Sequence, residues 1–483
     1  MLKSRESVDD SEAHSSLPFG KWVGVALRAA SVAFLGFGLA WVFVPMLYFY
    51  DDGVYFGGAL RLASGDRPYV DFYLAHPPGV VWLYAPLAAA GAGSQGCRLL
   101  AWAGAGIYLW LSARFFRRVE EGDPKADSIA CLGVLFLCAS WLFLESSSQV
   151  LTYLPGMLLV QLGFLHLLPG RLRPISAGLF LAAASVFRIQ FAFIGPAWVV
   201  FLLVSSGWKA GGRAAVKLTV TTGLAAAAFH GTMEITHEHY FDCILWSHLG
   251  RAPSPFSEKL KIVAKVCKQP TFALGLLASV ALAVRGRNAV RGLAAFALTE
   301  TILIFFGCKF IVGPEYFLLV FPYLMGSASM LVMRLAEGAK RKECLLWLAV
   351  AVWAATSGLA FAKKTYYRWA KQWPWEQELI ERVRALPGNT VACTPANIPN
   401  YAGKRLVSDY FSPDTTSPIS PEFQSWFLAL ARKADIIVLT DEAIARLDRD
   451  GCQALKHLGK PLVFGTPEED ADFQRRLEAN HLP

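Results

Sequence analysis

The chain has 483 residues, 54% of them hydrophobic and only 17% charged, with a mean hydropathy of +0.39. That composition excludes an ordinary soluble globular protein and indicates a polytopic membrane protein. The formal charge of +9 does not indicate a nucleic-acid partner, because Lys and Arg fall in short clusters between apolar segments rather than along one polar face.

In chain order, residues 1–27 open with M-L-K-S-R-E-S-V-D-D, which lacks the apolar core and small-residue cleavage site of a secretory signal, and they read as a cytoplasmic tail. Spanning helices need about 20 apolar residues, fewer where neighbours shield them. On that basis spans are expected at 28–48, 98–113, 128–144, 150–168, 175–187, 191–206, 214–231, 270–284, 292–308, 315–333 and 345–362. This makes about 11 transmembrane helices within 28–362. Basic clusters then recur on one side. They are Lys3, Arg5, Lys21 and Arg28; Arg114, Arg117, Arg118 and Lys125; Arg171 and Arg173; Lys209, Arg213 and Lys217; Arg285, Arg287 and Arg291; and Arg334 with Lys340, Arg341 and Lys342. The positive-inside rule makes that side the cytoplasm and puts the C-terminus outside.

For this alternation to hold, residues 79–92 must not cross. The run G-V-V-W-L-Y-A-P-L-A-A-A-G-A is short and broken by Pro and Gly, and it reads as an interfacial or re-entrant helix in the first outer loop, 49–97. Beyond the last span, 363–483 changes character. W-E-Q-E-L-I-E-R-V-R-A-L patterns as an amphipathic helix, T-V-A-C-T and D-I-I-V-L-T as short buried strands, and D-E-A-I-A-R-L as a helix after the second strand. Such alternation predicts a small α/β domain on the outer side.

With this topology the outer rim collects charged side chains from distant stretches. Asp51 and Asp52 end the first span, Asp66 and Asp71 follow, and His76 opens the turn His76-Pro77-Pro78-Gly79. Glu145 ends the third span, Arg188 and Gln190 follow the fifth, and Lys309 and Glu315 flank the turn before the tenth. Acids at a membrane boundary are costly unless paired or used, so they are candidates for general acid-base work. A plainer role as helix caps and water contacts stays open for Asp51 and Asp52, and is favoured for Asp66 and Asp71. Arg188 offers a planar fork for phosphate, or else snorkels to the headgroups. His237 and His239 with Glu234 or Glu238 form a conceivable metal pair but match no standard zinc spacing, and solvated loop histidines are the favoured reading. No cofactor is called for, and a divalent metal stays open. Disulfides Cys393–Cys452 and Cys243–Cys267 are conceivable if these residues face an oxidising compartment.

The pattern D-D-G-V-Y-F-G-G-A followed by P-Y-V-D-F-Y-L-A-H-P-P-G resembles the first outer loop of GT-C glycosyltransferases, especially the bacterial protein O-mannosyltransferase and lipid A aminoarabinose transferase-like group. The match is close over 50–82 and looser elsewhere. The resemblance implies a GT-C bundle in the bacterial inner membrane, with Asp51 as the principal acid-base residue, Asp52 as its companion and His76 marking a turn beneath the site. It implies a second acid at Glu145. It also implies a polyprenyl-phosphate sugar donor, with Arg188 and Lys309 contacting phosphate beside Gln190 and Glu315. The acceptor would be a glycan, lipid or protein. The chain departs from the mannosyltransferases in carrying Gly79 and Val80 after Pro-Pro, where a Lys is usual, which puts protein O-mannosylation in doubt. Two alternatives stay open. A transporter or flippase predicts charges near mid-membrane and repeat symmetry, neither evident in the sequence; a non-catalytic assembly protein predicts an outer domain that binds a partner.

Overall fold

The computed structural model of the protein describes residues 18–43, 50–72, 74–170, 172–237, 239–246, 254–307, 314–336, 340–393, 397–402, 404–407 and 421–478. Helices α1 (Pro18–Val42), α2 (Tyr50–Ala63), α3 (Gly79–Ala89), α4 (Gly93–Val119), α5 (Ala126–Cys138), α6 (Trp141–Ser147) and α7 (Tyr153–Leu165) come first. They are followed by α8 (Pro174–Ser185), α9 (Ile194–Thr236), α10 (Phe256–Cys267), α11 (Pro270–Arg285), α12 (Asn288–Ile302), α13 (Phe321–Leu335) and α14 (Lys340–Tyr367).

Among the described residues five helices are long and apolar enough to cross a membrane, or up to seven if each of two bent pairs is one span. The difference from the expected eleven has physical causes. Helices α5 and α6 meet at 73° and α10 and α11 at 100°, so hydropathy continues where the helix axis does not. Helices α7 and α8 have 13 and 12 residues. At 1.5 Å per residue each is roughly 20 Å long, against about 30 Å of hydrocarbon. Helix α3, at 11 residues, is shorter still. Helix α9 runs for 43 residues but breaks at Gly207, whose φ is 75°. A Cβ on Gly211 would stand 2.3 Å from the Leu202 carbonyl oxygen, so the chain folds back on itself there and two helices lie side by side.

Helix α13 occupies the centre, with Phe321 through Met330 all buried. Phe164 of α7 packs against Phe115 (4.9 Å between centroids), Phe201 (4.7 Å), Phe296 (4.8 Å) and Tyr323 (5.2 Å), which ties α4, α9, α12 and α13 together. Close approach is bought by small residues: Cβ atoms on Gly133 and Gly326 would lie 2.8 and 2.4 Å from the ring of Phe116. In lipid, where helix association rests on such packing rather than on water exclusion, these contacts hold the bundle together. On the outside, Phe361 of α14 packs on Phe34, Phe37 and Trp41 of α1 at 5.9, 6.3 and 6.1 Å.

After α15 (Trp373–Ala385) the chain forms a parallel sheet of β1 (Thr390–Ala392), β2 (Arg405–Leu406), β3 (Ile436–Leu439) and β4 (Leu462–Phe464), in the order β2-β1-β3-β4. Strand β3, I-I-V-L, is buried at every position, as a parallel strand covered on both faces must be. Cys393 belongs to the core on one face, with Leu379 and Val383 of α15, and Cys452 to the core on the other, with Phe427 and Phe473. The sheet separates the two cysteines and no disulfide joins them, and none joins Cys243 to Cys267. These are corrections to the conceivable disulfides: spacing does not tell which face a cysteine joins. Asp435, before β3, accepts hydrogen bonds from the peptide N–H groups of Asn389 (2.8 Å) and Thr390 (3.0 Å) and from Thr390 Oγ1, and these hold its carboxyl below the usual carboxylate range. Helix α16 (Asn397–Ala402), which follows β1, packs against α2.

Replacing Gly326 by Val drives two methyl groups into the Phe116 ring. The expected cost is about 1–3 kcal/mol, in line with overpacked cores. A thermal melt of the detergent-solubilised protein checks it, and an unchanged melting temperature contradicts this packing.

Candidate active site

The acids expected at the rim divide by environment. Asp52 is completely buried and paired with Arg98 of α4, also completely buried. Arg98 Nε donates to Asp52 Oδ1 and Oδ2 at 3.3 and 3.2 Å, its Nη2 donates to Oδ2, and the peptide N–H of Val150 donates to Oδ1 at 2.6 Å. Desolvating two charges is costly unless the remaining lone pairs are filled, and here two elements supply donors to one carboxylate. Asp52 therefore joins α2, α4 and the Ser148–Tyr153 segment. The side chain of Asp51 lies outside the described residues; its backbone is in the first turn of α2, beside Asp52.

The segment that meets Asp52 also meets Arg188. Arg188, 4% exposed, donates from Nη1 to Thr152 Oγ1 at 3.2 Å, and its guanidinium lies over Tyr153 (4.2 Å to the centroid) and Tyr316 (5.4 Å). Val150 and Thr152 are two residues apart, at most about 7 Å of chain. Gln190, in the 3-10 turn Ile189–Phe193, keeps its Oε1 buried with no hydrogen-bond partner among the described residues. Glu315 lies in the turn Pro314–Leu319 beside Tyr316, with its side chain outside the described residues. Lys309 lies outside them altogether.

The His76-Pro77-Pro78-Gly79 turn docks on the same place. The Gly79 N–H donates to the Val186 carbonyl at 2.9 Å, and a Cβ on Gly79 would stand 2.7 Å from that oxygen. Only glycine admits so close a backbone approach, which explains the residue found after Pro-Pro. The His76 ring stacks on Tyr55 of α2 at 6.0 Å, and its carbonyl accepts from Tyr69 Oη at 2.7 Å. Asp66 and Asp71 pin this loop. Arg61 Nε meets Asp66 at 2.8 Å, and Arg67 meets Asp71 through both its peptide N–H (2.7 Å) and Nε (3.1 Å), holding the Asp71 carboxyl below the usual range.

Glu145, 8% exposed, is held by Arg368 Nη2 at 3.1 Å and Lys364 Nζ at 3.5 Å. Both cations lie over Trp41, at 4.6 and 4.9 Å, and Lys364 also over Trp141, at 5.2 Å. So the expected second acid is neutralised from the far end of the chain. Arg98, Lys364 and Arg368 escape the sequence reading because a cation at a helix end normally snorkels, and because Lys364 and Arg368 stand in a basic run with Lys363 and Lys371 that reads as a solvated face.

Histidines 237 and 239 do not converge. His237 meets Tyr69 edge-on at 6.0 Å, while His239 is an exposed partner of Asp242 at 3.4 Å. Glu234 accepts instead from the Phe241 N–H at 2.8 Å, and Glu238 lies outside the described residues. Among the described residues no group of three His, Cys, Asp or Glu side chains forms a metal-ligand set. A carboxyl group inside the bundle was also missed: Glu300 of α12 is 1% exposed, and its Oε2 has no hydrogen-bond partner among the described residues.

Arg98→Met leaves the Asp52 carboxylate buried with its strongest partner gone, an expected loss of about 3–5 kcal/mol of stability. Adding Asp52→Asn is expected to restore at least half of it. A double-mutant cycle read by thermal melting checks this, and additive losses contradict the coupling.

No family model matches the chain, and no curated protein matches it in sequence. Among solved structures it is similar to ArnT from Cupriavidus metallidurans bound to undecaprenyl phosphate, at 14% identity and a TM-score of 0.56, covering 92% of this chain and 90% of that one. It is similar also to the apo state of ArnT from Cupriavidus metallidurans, at 13% identity and a TM-score of 0.61, over 81% and 86%. The chain is a multi-pass membrane protein with the GT-C glycosyltransferase fold.

Proposed function

We propose that this protein is an inverting glycosyltransferase that moves a sugar from a polyprenyl-phosphate donor to a glycan, lipid or protein acceptor on the outer side of the bacterial inner membrane. The observation that carries the reading is the Ser148–Tyr153 segment, which binds the acid-bearing helix α2 through Val150 and the buried guanidinium of Arg188 through Thr152. The helix that carries Asp51 and Asp52 and the cation Arg188 are thereby tied to one short segment. ArnT, which shares this fold, is known bound to undecaprenyl phosphate, a ligand with the charge that Arg188 suits.

In this reading Asp51 is the general base. An acceptor hydroxyl is a weak nucleophile at neutral pH, and a carboxylate within hydrogen-bond reach takes its proton as the new glycosidic bond forms. The bond from the anomeric carbon to the donor phosphate breaks, the phosphate leaves with its electron pair, and a single displacement inverts the anomeric centre. Arg188 faces the departing charge from a fixed position, which costs no reorganisation during the reaction. Asp52 is a positioning residue: consecutive helical residues lie about 100° apart round the axis, so anchoring Asp52 sets the bearing of Asp51. His76, Gln190, Lys309 and Glu315 belong to the substrate-binding side, and Glu145 with Lys364 and Arg368 closes the rim. The sheet region of 363–483 is the outer domain. Glu300 is the single feature that favours a flippase, which would move lipid-linked sugar across vesicles without forming a product.

Membranes containing the protein, supplied with lipid-phosphate sugars one at a time, are expected to yield a glycosylated product from one donor. Asp51→Asn is expected to lower transfer at least about 100-fold, the scale of general-base catalysis, with normal expression and melting temperature. Full transfer by purified Asp51→Asn protein contradicts the assignment. Arg188→Lys, which keeps the charge and loses the fork, is expected to raise the donor KM about tenfold, the equivalent of about 1.4 kcal/mol.

A further inference from the structure

The opposite end of the bundle, where the basic clusters lie, holds a cavity of about 260 Å³ between α4, α7 and the α7–α8 turn. Arg114, Arg118, Arg173 and His166 line it, with Trp110 and Leu162 on its apolar side. The turn is shaped to bring two of these together: Gly170 takes a φ of +79°, and the Arg173 N–H donates to the His166 carbonyl at 2.8 Å. Glu121 is the carboxylate in the lining; it pairs with Arg118 at 2.6 Å, but both side chains are more than a third exposed, where such a pair is weak and readily exchanged. Three arginines and one carboxylate thus line a single, partly open cavity.

The face of α4 below the cavity is apolar and exposed. Ile107 is 55% and Trp110 59% exposed, and Arg114, whose guanidinium lies 5.7 Å from the Trp110 ring, follows one turn on. At about 30 Å³ per water molecule the cavity holds the equivalent of roughly nine waters, room for a phosphodiester and its glycerol but not for an acyl chain. A chain attached to such a headgroup has the Ile107–Trp110 stripe to lie on. Apolar stripe below, guanidinium-lined cavity above, is the arrangement that an anionic lipid matches and a zwitterionic one does not.

We propose that this cavity is a binding site for an anionic glycerophospholipid of the leaflet on the basic side, gripped at its phosphate by Arg114, Arg118 and Arg173. The site is independent of the outer rim and of the reading given to it.

The test is native mass spectrometry of the purified full-length protein in detergent, titrated with phosphatidylglycerol, phosphatidylcholine or inorganic phosphate. Phosphatidylglycerol is expected to be retained at least about tenfold more than phosphatidylcholine, a difference of about 1.4 kcal/mol. The R114Q/R118Q/R173Q variant is expected to lose that preference. Leu162→Trp, which keeps every charge and fills the cavity, is expected to lose it too and decides the matter if the triple variant does not fold. Equal retention of the two lipids overturns the proposal, as does an unchanged preference in Leu162→Trp. Displacement of phosphatidylglycerol by millimolar inorganic phosphate overturns the lipid assignment in favour of a free-phosphate site.

Discussion

A carboxylate and a guanidinium sealed together inside a membrane protein are tolerable only if their remaining hydrogen-bonding capacity is filled. Asp52 and Arg98 meet that condition by drawing in a peptide N–H from a third element, that of Val150. Much of this end of the bundle depends on this arrangement. It sets the helix that carries Asp51 and holds the segment that supports Arg188 through Thr152, while the Gly79 backbone docks nearby on the Val186 carbonyl. Acids, cation and turn come from four separate stretches of chain, and a single ion pair gives them a common frame.

Much of this was legible from one sequence. The apolar segments, the D-D helix, the H-P-P-G turn and the strands T-V-A and I-I-V-L are all local patterns, and local patterns are what periodicity and hydropathy report. The lesser standing of Asp66 and Asp71 was legible for the same reason, since their partners Arg61 and Arg67 lie within five residues. The partners of Asp52 and Glu145 lie 46 and 223 residues away. No window along the chain contains both members, and each cation taken alone has an ordinary explanation at a helix end. Gly79 shows the same limit in another form: its departure from the family pattern is visible in the sequence, but the carbonyl it makes room for is not.

The breaks in the helices escape the sequence for a related reason. Hydropathy measures what a segment is made of and not whether its axis continues, so the 73° bend between α5 and α6 leaves no trace in an apolar run. Gly207 is one glycine among many in the sequence, and only its φ and the contact of Gly211 with Leu202 identify it as the point where the chain turns back. Glu300 sits in the mainly apolar stretch L-A-A-F-A-L-T-E-T-I, where a single acid hardly alters the average. The C-terminal cysteines carry the same lesson: one sheet lies between two residues that a linear reading is free to join.

Helix α16 packs on α2, and it does so as the first helix after strand β1. The parallel sheet is thus not a bead on a string but part of the wall behind the acid-bearing helix. Lineages that exchange whole modules by recombination would find this boundary hard to cross, because a foreign sheet brings a surface that was never fitted to α2. Divergence is then expected to proceed by paired substitution across that seam, and chimeras joined near residue 372 should work only when both sides of it are inherited together.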